Sequence, residues 1–173
     1  MQIFFKYITK DIIPTNEDLN KIDAIEEILF IGYPTGIWDS KNLIPVARRG
    51  ITATPVYLDF QGEKQFLIDA SVFPGSSGSP VFIYNPGIYW DKHSGATVVG
   101  HRLFFLGILS AVFQMPDTGE IVISPGVSET GQIIIPTRRP AVSIKQLIDL
   151  GIVFKAETIL ETIEEFLKTG KNV

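Results

Sequence analysis

Asp69-Ala70-Ser71-Val72-Phe73-Pro74-Gly75-Ser76-Ser77-Gly78-Ser79-Pro80-Val81-Phe82 is the stretch on which the reading of this chain turns. By itself Gly-Ser-Ser-Gly reads as a turn, because glycine takes up positive φ without steric cost. The flanks say what the turn joins. Phe66-Leu67-Ile68 and an aspartate precede it, and a proline followed by Val81 to Tyr84 closes it. Apolar, β-branched and aromatic runs bounded by turn residues are the pattern of strands. A strand, a serine-bearing turn and a second strand are therefore expected here.

The rest of the composition agrees with a β-rich fold. The chain has 173 residues, 45% of them hydrophobic, which is about one ordinary domain. Its 15 glycines and 11 prolines are more breakers than a helical bundle tolerates. A net charge of −4 argues against nucleic acid as partner, because phosphate binding needs a positive field. The absence of cysteine excludes a disulfide scaffold, a thiolate zinc site and a cysteine nucleophile. The longest apolar run, Leu103 to Phe113, is eleven residues, whereas a membrane-spanning helix needs about 20. No export signal is legible in Met1 to Pro14, where lysines interrupt each apolar stretch. A soluble cytoplasmic protein without membrane contact is expected.

Outward from the serine turn, the chain reads as roughly seven or eight short strands and then two helices. Ile3 to Ile8 is strand-like, and Asn16 to Glu27 is polar and acidic. Strands are expected at Ile28 to Ile31, Ile51 to Phe60, Phe66 to Ile68, Val81 to Tyr84, Leu103 to Phe113, Glu120 to Ile123 and Gln132 to Ile135. Gln61 to Lys64 and Asp117-Thr118-Gly119 are the expected hairpin turns, and Asn85 to Gly100 a loop or loosely paired ribbon. Val142 to Ile148 fits a short helix ending near Gly151. Ile159, Leu160, Ile163, Phe166 and Leu167 make the apolar stripe of a second, core-facing helix with an acidic outer face.

Gly75-Ser76-Ser77-Gly78-Ser79-Pro80 resembles the G-x-S-G-x-P signature of trypsin-like (chymotrypsin-fold) serine peptidases. With Asp69-Ala70 before it, it is similar to the HtrA-like and related cytosolic branches, with Ser79 standing where that family often has glycine. Four further segments match in family order. Ile31-Gly32-Tyr33-Pro34 looks like the turn that opens the second barrel, and Arg49-Gly50-Ile51-Thr52 like the strand after it. Gly107-Ile108-Leu109-Ser110 resembles the strand that pairs with substrate, and Ile133 to Thr137 the closing strand. Together they cover about 120 residues, from Ile28 to Leu150.

The resemblance implies an all-β fold, the second β-barrel of a chymotrypsin-like enzyme with C-terminal helices. Residues 1–27 would be an inter-barrel connector, 28–150 the serine-bearing barrel and 151–173 the C-terminal helix. It implies Ser77 as nucleophile, with the amides of Gly75 and Ser77 as the oxyanion hole. Glycines let the backbone curl until two amides point at one developing oxyanion. Ser71, six positions before the nucleophile, would lie at the base of the primary pocket, and Ser110 would bind substrate backbone. With no carboxylate at Ser71, small or medium apolar residues are expected before the scissile bond. The reaction would be acyl transfer on a peptide or protein substrate, without metal or organic cofactor.

The base is missing from this picture. In the family a His and an Asp on the first barrel precede the serine. Here His93 and His101 follow Ser77 by 16 and 24 residues and match no catalytic-histidine motif. His93 reads as a loop residue and His101 as a structural or solvent-facing one. A zinc site from both and Asp91 fits no ligand spacing. The His-bearing barrel is therefore expected to precede Met1, as a missing partner. The uncovered barrel face should then favour self-association. The rival from another class is a non-catalytic pseudoprotease that binds peptides by strand addition. An α/β-hydrolase elbow lacks its last glycine, since Ser79 stands there. A P-loop lacks its Gly-Lys-Ser/Thr.

Overall fold

The computed structural model describes residues 6–34, 37–120, 126–127, 129–131, 133–134 and 141–170. The strands are β1 (Glu27–Gly32), β2 (Val46–Thr52), β3 (Gln65–Asp69), β4 (Pro80–Asn85), β5 (Ile88–Asp91) and β6 (Ala96–Val99). They continue as β7 (Arg102–Glu120), β8 (Gly126–Val127), β9 (Ile133–Ile134) and β10 (Ala141–Lys155). Helix α1 is Asn16–Lys21 and helix α2 is Ala156–Thr169. Six strands close a barrel in the order β1-β2-β3-β10-β7-β4, with β1 hydrogen-bonded to β4. The pairings between these strands with an assigned register are antiparallel. The fold is thus mostly antiparallel β with a C-terminal helix.

Closing the barrel gives the strands' alternate residues an interior to fill, and the sequence fills it with large apolar groups. Phe30 on β1, Phe66 and Ile68 on β3, Val81 and Ile83 on β4, Leu106 and Leu109 on β7 and Val153 on β10 are fully buried. Gly107 sits where β7 passes close to the backbone of β10 at Phe154. A Cβ there would lie 1.9 Å from the Phe154 carbonyl oxygen, and its φ is +153°. Gly107→Ala should therefore cost about 3 kcal/mol by overpacking, read as a lowered urea midpoint. An unchanged midpoint would mean that the two strands separate at no cost.

Two ion pairs, the first of them buried, tie the connections to the barrel. Arg102 donates to both carboxylate oxygens of Glu26 (3.1 and 2.6 Å) and to Asn85 (2.9 Å), and lies over the Tyr89 ring. Lys155 reaches Asp59 at 2.5 Å and fixes the β2–β3 connection to the end of β10. Before β1, the hydroxyl of Thr15 caps α1 and donates to Asp18, closing a capping box. These bonds hold the Asp18 carboxyl below its ordinary value. The cap is therefore intact above the ordinary carboxylate range and is lost as pH falls through the lowered value.

Several local expectations change. Val142 to Ile148 is not helix but part of β10, which runs past Leu150 to Lys155. β-branched Val142, Ile144, Ile148, Ile152 and Val153 suit a strand, and β3 supplies the ladder from Leu150 to Phe154. The two expected C-terminal helices are thus one, α2. Asp117-Thr118-Gly119 is not a turn, because β7 continues through Glu120. Local turn propensity yields there to strand pairing. Ile51 to Phe60 is strand only to Thr52; Pro55 cannot donate to a ladder, and Ala53 and Thr54 both turn their amides to the Leu67 carbonyl. The turn into β3 does fall at Gln61-Gly62, both with positive φ. Asn85 to Gly100 forms the paired β5–β6 ribbon.

On α2 only Ala156 is buried; Ile163, Phe166 and Leu167 are exposed, so the stripe faces the core less than its spacing suggests. Lys6 to Thr9 has no regular structure, and the rest of the expected first strand lies outside the described residues, as do Ile121 to Ile123, Gln132 and Ile135. Residues Gln114–Ile148 make a second compact unit, separate from the unit that holds the barrel core. It contains the two-stranded β8–β9 sheet, in which Gly126 faces Ile134 and Val127 faces Ile133. Among the described residues no helix is long and apolar enough to cross a membrane.

Candidate active site

The serine segment is built from two successive turns. Phe73-Pro74-Gly75-Ser76 is closed by the Ser76 amide on the Phe73 carbonyl (3.0 Å), with proline second and Gly75 third at φ +86°. That is the residue pattern of a type II turn, whose third position requires positive φ. Ser76-Ser77-Gly78-Ser79 repeats the device, the Ser79 amide reaching the Ser76 carbonyl (3.1 Å) and Gly78 standing third at φ +88°. The spacing of three between the glycines follows from this repeat. Gly78 then donates to the Leu109 carbonyl (2.7 Å) and Leu109 to the Ser79 carbonyl (2.9 Å), so the second turn is anchored on β7.

The geometry sorts the serines. Ser76 and Ser79 are buried, while Ser77 is exposed at the corner of the second turn. The Ser77 hydroxyl donates to the Ser110 carbonyl at 2.8 Å. The closing bonds of both turns leave two intervening amides unused. Among the described residues, neither the Gly75 nor the Ser77 N–H donates to a protein acceptor. Ser77, Gly75 and Ser110 are thus brought together. Ser71 joins the same loop by its carbonyl, which accepts from Arg48 (2.6 Å). Asp69 ends β3, opposite Leu150 and Ile51.

Neither histidine is a partner of Ser77. The His101 ring packs edge-on against Tyr84, at the opposite end of β4 from the serine turn. At roughly 3.3 Å per residue, the nine residues from His101 to Ser110 span roughly 25–30 Å of chain. His93 lies in the β5–β6 turn, its amide on Asp91 (2.9 Å), beside Lys92, which faces Tyr57. Ser77 therefore stands in a loop with two unengaged amides, its own and that of Gly75, and neither histidine is a hydrogen-bond partner of its hydroxyl. Those residues also include no group of three or more His, Asp or Glu disposed to hold a metal. Cavities of the barrel unit lie elsewhere, among them one of mixed lining of about 410 Å³ at Asp18, Tyr89 and Arg102, and an apolar groove of about 570 Å³ along Leu29, Ile31 and Phe82.

Arg48 is the residue that the sequence reading passed over. It lies on β2 opposite Phe30, with its guanidinium 4.6 Å from that ring and 6.0 Å from Phe73. Besides the Ser71 carbonyl it donates to the Ser76 hydroxyl (2.7 Å), bracketing the first turn. Its Nε is buried without a hydrogen-bond partner, and burial lowers the pKa of the guanidinium. Strand alternation could have found it: along Val46 to Thr52 the even positions turn toward the interior, which puts Arg48 inward and Arg49 outward. Compared with family models, curated proteins and solved structures, the chain matches none of them.

Proposed function

We propose that this chain is the serine-bearing barrel of a trypsin-like serine endopeptidase, similar to the HtrA-like branch, with Ser77 as nucleophile. One observation carries the reading. An exposed serine hydroxyl stands in tandem glycine turns whose Gly75 and Ser77 amides have no protein acceptor among the described residues. The closed antiparallel barrel around the turn is consistent with the same family.

In the reaction, Ser77 Oγ attacks the scissile carbonyl and gives its proton to a base. The carbonyl oxygen becomes an oxyanion between the Gly75 and Ser77 amides. The base returns the proton to the leaving amine as the C–N bond breaks, and water then hydrolyses the acyl-enzyme. The base is a histidine on a companion barrel, held by an aspartate, since neither histidine of this chain partners Ser77. Peptide substrate pairs with β7 at Ser110. The same proposal keeps the chain in the cytoplasm, away from membranes and nucleic acid, and self-associating when its companion is absent.

A second reading has its own observation. The β4 pairing of β7 ends at Ile108, and among the described residues no β4 residue pairs with Ser110 to Phe113. An open strand edge accepts an added peptide strand whether or not chemistry follows, as in a non-catalytic binding module. A fluorophosphonate probe separates the two. In the native protein, taken from extracts of the cells that make it, the probe should label Ser77 and leave Ser76, Ser79 and Ser110 unmodified. Peptide binding without any serine adduct would establish the binding module instead.

A further inference from the structure

We propose that Arg48 sets the specificity of the Ser77 site and selects an acidic side chain, Asp or Glu, at the substrate residue before the scissile bond. The proposal rests on the peptidase reading above. Its warrant is a comparison of two arginines in one barrel. Arg102 is buried and fully neutralised, by both oxygens of Glu26. Arg48 is half-buried, yet its two acceptors are a neutral carbonyl and a neutral hydroxyl, and its other neighbours are the rings of Phe30 and Phe73. Among the described residues no carboxylate forms an ion pair with it. Its buried Nε has no partner at all.

A guanidinium withdrawn from water without a counter-charge is poorly stabilised, and a carboxylate is the group that matches its planar fork. The place of this cation gives the counter-charge its role. Arg48 holds the carbonyl of Ser71, the residue that the family resemblance puts at the base of the primary pocket. It also holds the hydroxyl of Ser76, next to the nucleophile in sequence. An acidic side chain of the substrate would supply the counter-charge that Arg48 lacks, and a Lys or Arg would meet a like charge. Arg48 thus revises the preference for small apolar residues that Ser71 alone suggested.

The test is a binding measurement that needs no turnover. Four N-acetyl tetrapeptide amides, identical except for Glu, Gln, Ala or Lys as last residue, are titrated calorimetrically into the native protein with its serine intact. Glu should bind about tenfold tighter than the isosteric Gln, Lys should bind weakest, and added salt should shrink the difference. In Arg48→Met the Glu–Gln difference should vanish, while Ser77→Ala should keep it. Glu and Gln within twofold of each other in the unmodified protein would overturn the proposal, and that comparison requires no variant to fold. If Ser77 takes the fluorophosphonate label but Glu and Gln bind alike, only the role of Arg48 falls. If no tetrapeptide binds and no label appears, the peptidase reading falls and this proposal with it.

Discussion

Purified by itself, the 173-residue chain should hydrolyse neither casein nor small esters in a manner that depends on Ser77. A serine hydroxyl is a weak nucleophile at neutral pH and needs a base within about 2.6–3.2 Å. Here the hydroxyl is bonded to the Ser110 carbonyl, which cannot take its proton. Nucleophile and base act as a unit, so loss of the base removes on the order of 10⁶-fold in rate. The remainder, roughly 10³–10⁴ over water, belongs to the oxyanion donors and substrate binding. The check is a comparison of the chain with its Ser77→Ala variant in one assay. Turnover that Ser77→Ala abolishes would require His93 or His101 to serve as base, and the geometry proposed here would be wrong.

The second large effect concerns stability. Glu26→Ala should destabilise the barrel by about 3–5 kcal/mol, because it leaves a buried guanidinium without its counter-charge. The Arg102 and Glu26 side chains are only 7% and 10% exposed. Glu26 also accepts the Asp23 amide (3.0 Å), so the same change loosens the segment leading into β1. Removing both partners, as Glu26→Leu with Arg102→Met, should cost far less than the single change, because no charge is then stranded. Urea denaturation of the three proteins decides it. A single variant as stable as the parent would mean that water already reaches Arg102.

What the sequence made legible follows from how local each signal is. The serine turn could be read in full: Pro74 and the two glycines each answer to a backbone angle within four residues. The strands at Ile28, Phe66 and Val81 were legible for the same reason, as short apolar runs cut by turn residues. Val142 to Ile148 was not, because apolar spacings in Val142, Leu147 and Ile148 fit a helix as well as a strand, and the segment is strand as the first part of β10, whose ladder with β3 begins only at Leu150. Asp117-Thr118-Gly119 shows the converse, a strong local turn signal overruled by strand pairing. Arg48 escaped because its meaning depends on loops 23 and 28 residues away, at Ser71 and Ser76. Only the inward phase of β2 hinted at it.

The central claim is that the Gly75 and Ser77 amides form an oxyanion hole for an acyl group on Ser77. A crystal structure of the native protein after reaction with a fluorophosphonate tests it most directly. The phosphonyl group on Ser77 Oγ stands in for the tetrahedral intermediate, and its free oxygen for the oxyanion. That oxygen should lie about 2.7–3.1 Å from both amide nitrogens. A phosphonyl oxygen turned to solvent with both amides unengaged, or an adduct on Ser79 or Ser110, would contradict the account.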